Sequence, residues 1–344
     1  MSNLSDQVWA WYQQGDIKAE QLPKALAQAE QAEPEVAWRE VIDLLLLWFG
    51  VLFVSAGVII FFAFNWQDLS KLGKFALVQG ALLLCALAYG WLRWQERENN
   101  PRGLGATKAN AALLGLSFMI GALLALVGQT YQTGADPWQL FAMWSLCLLP
   151  LAWLAGFDLL WLKLVALVNV SLVLYLNTWP QSWWLFGNYV FVLVAVSFVN
   201  GALYLGFYFA QQRQIQRLTA PICQSLSILL ALVALTWYGC WQALDIPSSQ
   251  SPSLSFYLIY AALVFGLSRF VFKQLLPLAL VCFSAIGVST VWLGVRLFDH
   301  GDELGGFFFL TFYIVAATAG ISVWLTSVRG RFNADLGEQE ANDE

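Results

Sequence analysis

Ten stretches of nearly uninterrupted apolar residues divide the chain, and their length leaves few folds open. They run approximately over 44–64, 74–92, 111–128, 138–156, 159–176, 183–209, 221–243, 254–269, 276–297 and 305–326. A helix crosses the hydrocarbon of a bilayer in about 20 residues. No water is present there to satisfy backbone N–H and C=O groups, so each stretch must satisfy its own as an α-helix. The expected fold class is therefore all-α, a polytopic transmembrane bundle of about ten helices. The eighth stretch is short, and the sixth is long enough to tilt or to extend past the headgroups. The fourth and fifth are divided only by Gly156-Phe157-Asp158, which must form a tight turn.

Composition points the same way. The 344 residues are 59% hydrophobic and 11% charged, against roughly 25% charged in soluble domains. The 18 tryptophans suit membrane–water interfaces, where the ring is buried and the N–H stays wet. The net charge of −5 comes mostly from the two tails. No basic patch exists to attract nucleic acid, and none is expected as a partner. Cys85, Cys147, Cys223, Cys240 and Cys282 all fall in apolar segments, without a CxxC pair or a Cys/His cluster. They read as small buried apolar residues, and no cofactor or metal is expected. Residues 1–42 are polar and lack the apolar core of a signal peptide, so the first stretch is expected to act as an uncleaved anchor.

Basic residues give the expected orientation. Counted on alternating sides of ten spans, Lys and Arg divide 14 to 3, with only Lys71, Lys74 and Arg296 on the poorer side. Cytoplasmic loops carry the excess of Lys and Arg. Both termini are thus expected in the cytoplasm, with the chain as a multi-pass membrane protein. Three regions follow: a cytoplasmic segment over 1–42, the bundle over 43–328 and an acidic cytoplasmic tail over 329–344. In the first, Val8, Trp9, Trp11 and Tyr12 make one apolar stripe and Ile17, Leu22, Leu26 and Ala29 another, with Gly15 and Asp16 between them. That pattern predicts a helical hairpin too small to bury a core by itself. The acidic Ala334–Glu344 segment reads as a disordered tail.

Chemistry inside the spans is sparse. An ionisable side chain in hydrocarbon is costly and is by default a functional candidate. Lys163 alone lies clearly inside an apolar run, about one turn from the cytoplasmic end, where it is expected to snorkel to the interface near Asp158. No span carries a central Asp, Glu, Arg or His, which counts against ion-coupled transporters and proton pumps. Gln79, Asn169, Asn188, Asn200 and Gln224 are expected to hydrogen-bond between helices. Gly50/Gly57, Gly115/Gly121 and Gly201/Gly206 are expected to permit close helix approach, and Pro150 to kink the fourth span.

The distinctive residues gather on the expected outer face. The first span closes on Asn65-Trp66-Gln67. The third closes on Gly128-Gln129-Thr130-Tyr131, followed by Asp136, Pro137 and Trp138. Asn65, Trp66, Gln129, Tyr131 and Asp136 form the first candidate site. A second lies in the ninth loop, where His300, the one histidine, stands among Asp299, Asp302 and Glu303. Imidazole and carboxylates together suit a divalent cation, although a solvated loop commonly carries such residues.

Three features together resemble the bacterial "domain of unknown function 2157" family of predicted membrane proteins, over about residues 5–155. They are Trp11-Tyr12 with Gly15 and Ile17, the Asn65-Trp66 pair, and the Gly128-Gln129-x-Tyr131 turn with its spacing to Asp136 and Trp144. The resemblance implies a membrane architecture and no activity. Three functions remain. The leading one is a non-enzymatic scaffold or accessory subunit that packs with other membrane proteins. The alternative is a transporter or channel for a neutral or apolar, lipid-like solute, with Asn65, Gln129 and Tyr131 as a polar mouth. The third, an enzyme on lipid-linked substrates, would require Asp136 to converge with the 299–303 carboxylates. Partners expected are the lipid bilayer and other membrane proteins; oligomeric state is left open.

Overall fold

A computed structural model describes residues 8, 12, 21–25, 38–64, 69–99, 104–178, 189–218, 220–244, 254–298 and 303–343. Among them no strand occurs, and ten helices are long and apolar enough to cross a membrane. These are α1 (Trp38–Phe64), α2 (Lys71–Asn99), α3 (Leu104–Tyr131), α4 (Pro137–Ala155), α5 (Asp158–Thr178), α6 (Tyr189–Gln212), α7 (Pro221–Ala243), α8 (Leu254–Gly266), α9 (Leu275–Phe298) and α10 (Glu303–Asp343). The expected helical bundle forms. Each apolar stretch becomes one helix, because a buried backbone without water has only its own carbonyls to bond. The N-terminal hairpin falls mostly outside the described residues; within it, Ala25 N–H donates to the Gln21 carbonyl at 2.9 Å.

The described part of the sixth stretch is helical from Tyr189 and has 24 residues; residues 183–188 lie outside the described residues. One expectation is corrected. The acidic tail is not disordered over its length: the α10 backbone stays helical through Asp343. Ala, Leu, Glu and Gln are good helix formers, and they outnumber the weaker Asp335, Gly337, Asn342 and Asp343.

The chain divides into two compact units, Met1–Leu69 with Leu83–Gly115, and Ser70–Leu82 with Leu116–Glu344. In the first, Phe49 and Phe53 of α1 stack with centroids 6.1 Å apart. A Cβ at Gly115 would stand 3.4 Å from Cys85 Sγ and 3.7 Å from Val51, so α1, α2 and α3 meet at ordinary contact distance there. In the second unit, Ser70 caps α2, its Oγ accepting from the Gly73 N–H at 3.1 Å.

The tight turn between α4 and α5 forms as expected. Gly156 adopts φ +58, and its N–H donates to the Ala152 carbonyl. A Cβ there would also stand 3.3 Å from the Arg217 backbone. Glycine is required on both counts. Beside it, Trp161 Nε1 donates to the Arg217 carbonyl at 3.1 Å, which fastens the α6–α7 connection to the start of α5.

Helix α7 carries the core of the second unit. Ile228, Leu232, Leu235 and Tyr238 pack with Tyr204 of α6, Tyr257 of α8 and Val281 of α9. Because lipid is as apolar as these side chains, the gain comes from close packing and hydrogen bonds rather than from leaving water. Helix α8 ends in a π-helical turn, Leu267–Val271. Lys273 at φ +48 reverses the chain into α9. Tyr204 donates to Gln274, and the Tyr208 ring lies 4.5 Å from Phe272, so α6 holds this turn in place.

Candidate functional site

The end of α3 is built as a tight, exposed turn. Thr133 N–H reaches back to the Gly128 carbonyl at 3.4 Å, and Gln132 and Gly134 take φ +45 and +64. Asp136 occupies the cap position of α4 without a side-chain capping bond, and Pro137 supplies the first helical residue. Gln129, Tyr131 and Asp136 are exposed; the Tyr131 ring lies 6.0 Å from Phe75. They share a turn rather than a pocket. Asn65 and Trp66, the other half of this candidate, lie outside the described residues. So do Asp299, His300 and Asp302, and the side chain of Glu303, which opens α10.

The structure instead brings chemistry together around Lys163. Leu160, Trp161, Leu164 and Val165 bury the surrounding face of α5. The Lys163 side chain does not run outward beside Asp158 as expected. Its Nζ donates to Ser117 Oγ of α3 at 2.7 Å, and Ser117 is fully buried. The ammonium stands 3.3 Å from the centroid of Phe118 and 4.7 Å from the ring of Trp144 on α4. Aromatic faces carry partial negative charge, and a cation against them gains about 2 kcal/mol when both are desolvated. One hydroxyl and two ring faces thus replace the water that snorkelling would have supplied.

The rings are themselves held. Trp144 Nε1 donates to the Ser117 carbonyl at 2.8 Å. Phe118 meets Trp144 edge-on at 6.4 Å, and Phe141 stacks on it at 6.3 Å. Gly121, one turn beyond Ser117, makes room: a Cβ there would fall 2.4 Å from the indole. The result is a clasp in which one cation ties α3, α4 and α5.

Other polar side chains pair between helices. Asn169 of α5 and Asn200 of α6 exchange amide hydrogen bonds at 3.1 and 2.6 Å, and each also donates to the carbonyl four residues earlier. This is the interhelical role expected of both. Thr236 of α7 and Tyr257 of α8 lie 2.7 and 3.0 Å from Ser284 of α9. Ser289 of α9 lies 2.6 Å from Tyr313 OH of α10. Among the described residues, a groove of about 510 Å³ runs between α7 and α9 past Ile222, Leu229 and Leu280. A second, of about 630 Å³, runs between α8, α9 and α10. Gln129, Tyr131 and Asp136 line neither.

Sequence reasoning placed Phe118, Gly121 and Trp144 on their helices but did not join them to Lys163. Of the glycines expected to allow close approach, Gly121 and Gly201 do: a Cβ at Gly201 would lie 2.7 Å from Tyr260 OH. Gly50, Gly57 and Gly206 face open space.

Comparison with known proteins bears out the resemblance over much of the N-terminal half. Residues 9–161 match the family model described as predicted membrane protein (DUF2157), a range that includes Ser117, Phe118, Gly121 and Trp144 and stops just short of Lys163. No curated protein and no solved structure matches the chain. The chain is a membrane protein with about ten spans.

Proposed function

We propose that the chain is a non-enzymatic scaffold or accessory subunit of a bacterial inner membrane, with both termini in the cytoplasm. One observation carries the reading. Four clusters of polar side chains within the spans of the second unit are engaged internally, Lys163 with Ser117, Asn169 with Asn200, Thr236 and Tyr257 with Ser284, Ser289 with Tyr313, while the buried Ser197, Ser227 and Thr290 hydroxyls have no partner among the described residues. A carrier needs polar groups that exchange partners with a solute, and an enzyme needs an acid, base or nucleophile directed at a cleft. A scaffold needs helices held at fixed phase, which such internal pairing provides. The 14 to 3 division of basic residues supports the orientation.

The test has two arms. The tagged full-length chain, cross-linked in native membranes and purified in mild detergent, is expected to bring down one membrane protein in fixed ratio, whose level falls when the chain is deleted. The same protein in vesicles is expected to leave the flux of neutral solutes and the flip of labelled lipids at the rate of protein-free vesicles. Accelerated flux, or no partner in fixed ratio, overturns the reading. A reporter active only in the cytoplasm, fused after Glu344, checks the orientation.

A further inference from the structure

The groove between α7 and α9 opens at one end of the bundle, and the charges at that end differ from those elsewhere in the chain. It runs from Pro221 and Leu276, near the starts of the two helices, to Leu229 and Leu280. Eight residues of helix make that about 12 Å, most of one leaflet of a hydrocarbon core about 30 Å thick. Apart from Ser225 its lining is apolar, and Ile222, Leu229 and Leu276 are exposed at its surface. An apolar groove of about 510 Å³, one leaflet long, suits a hydrocarbon chain.

The mouth of the groove decides which lipid. Lys273 stands three residues before Leu276, in the segment between α8 and α9. Packing joins that segment to the end of α6: the Phe272 ring lies 4.5 Å from Tyr208 and 6.3 Å from Phe209, and Arg213 follows Phe209 by one turn. Both cations are exposed. From Leu159 to Phe298 the sequence holds a single carboxylate, Asp245, which comes after the far end of α7; around Arg213, four glutamines occupy 211–216 instead. Membrane orientation does not call for this, because acidic residues weigh little in it. The end of α2 and the segment after it show a mixture, with Glu96 and Glu98 among Arg93, Arg97 and Arg102.

The neighbouring cations have other company. Arg217 lies beside Gly156, and Asp158 opens α5 two residues later. Arg269 stands over the rings of Phe270 and Phe332 at 5.7 and 5.3 Å, toward α10, whose carboxylates resume at Asp335. We infer that the groove holds an acyl chain of an anionic phospholipid, with the lipid phosphate at Arg213 and Lys273. Basic residues beside membrane spans attract such headgroups. A neutral lipid would match the groove and not the cations, and a soluble acidic protein would match the cations and not the groove. The inference stands apart from the scaffold reading.

The experiment titrates the full-length protein in neutral detergent with dioleoyl phosphatidylglycerol, bound lipid being counted by native mass spectrometry. Retention is expected to be about tenfold tighter than for the phosphatidylethanolamine of the same chains. Glycerol phosphate, which has the charge and no chain, is expected not to compete. Arg213→Gln with Lys273→Gln should weaken retention about thirtyfold, the worth of two charges near the membrane surface. Arg93→Gln with Arg97→Gln removes as many charges from the end of α2 and should change retention by less than about twofold. Ser225→Trp fills the groove from an exposed position and should weaken retention on the order of tenfold at an unchanged melting temperature. Equal retention of the zwitterionic lipid, competition by glycerol phosphate, an equal loss in both double variants, or full retention by Ser225→Trp would overturn the inference.

Discussion

At α3, α4 and α5 a single charged side chain is held by groups from three helices. At α7, α9 and α10 hydroxyls bond their own helices as well as their neighbours. Thr236 Oγ lies 2.6 Å from the Leu232 carbonyl four residues back, and Ser289 Oγ 2.7 Å from that of Ala285. A hydroxyl of this kind carries a partner with it wherever its helix goes, so its bond to a second helix adds little. Nothing in α5 serves Lys163 in that way: its hydrogen-bond acceptor and its rings stand on α3 and α4. In hydrocarbon, a group that depends wholly on other helices is the one whose partners are costly to remove.

The largest effect should follow from closing the space under Trp144. Gly121→Leu places a side chain where the indole lies and strands the ammonium, which should lower stability in detergent by about 3–5 kcal/mol, read by thermal or denaturant unfolding. A variant as stable as the parent would mean that the clasp does not support the bundle. Next comes a cycle on the ring itself. Trp144→Leu should cost about 2 kcal/mol with lysine at 163 and clearly less in the Lys163→Met background, while Lys163→Met alone should be close to neutral. Equal costs in both backgrounds would show that the ring acts by packing and not through the charge. Thr236→Val should be smallest, within about 0.6 kcal/mol. A loss beyond about 1.5 kcal/mol, near the largest seen for such bonds in membranes, would erase the contrast between the two clusters.

What the sequence conveyed and what it withheld divide on physical lines. Span number and limits were legible because hydrocarbon thickness imposes them: the seventh stretch, read as 221–243, is helix α7 at Pro221–Ala243. The Gly156 turn was legible because two long apolar runs met with no other room to reverse. Helix rotation was not. A span apolar on every side gives no stripe to mark its inner face, so nothing told Gly121, which receives an indole, from Gly57, which faces open space. Lys163 was placed at the right depth with the wrong direction. Its choice between water and rings depends on Phe118 and Trp144, on two other helices. Trp144 had been noticed, as part of the family-like pattern, without a reason to aim it at an amine or to pair it with Phe118. The tail was misjudged because charge was weighed and helix propensity was not.

The separations along the chain add a consequence for biosynthesis. Ser117 and Lys163 are 46 residues apart, Trp161 and Arg217 are 56, and Tyr204 and Gln274 are 70. A chain made from its N-terminus delivers α3 and α4 to the membrane ahead of the helix that carries the lysine. When α5 arrives, the serine and the rings are already there to receive its charge. The Gly156 turn waits longer, because the backbone that will press on it is added only with the link to α7. Order of synthesis thus protects the costliest group first and secures the geometry around it afterwards.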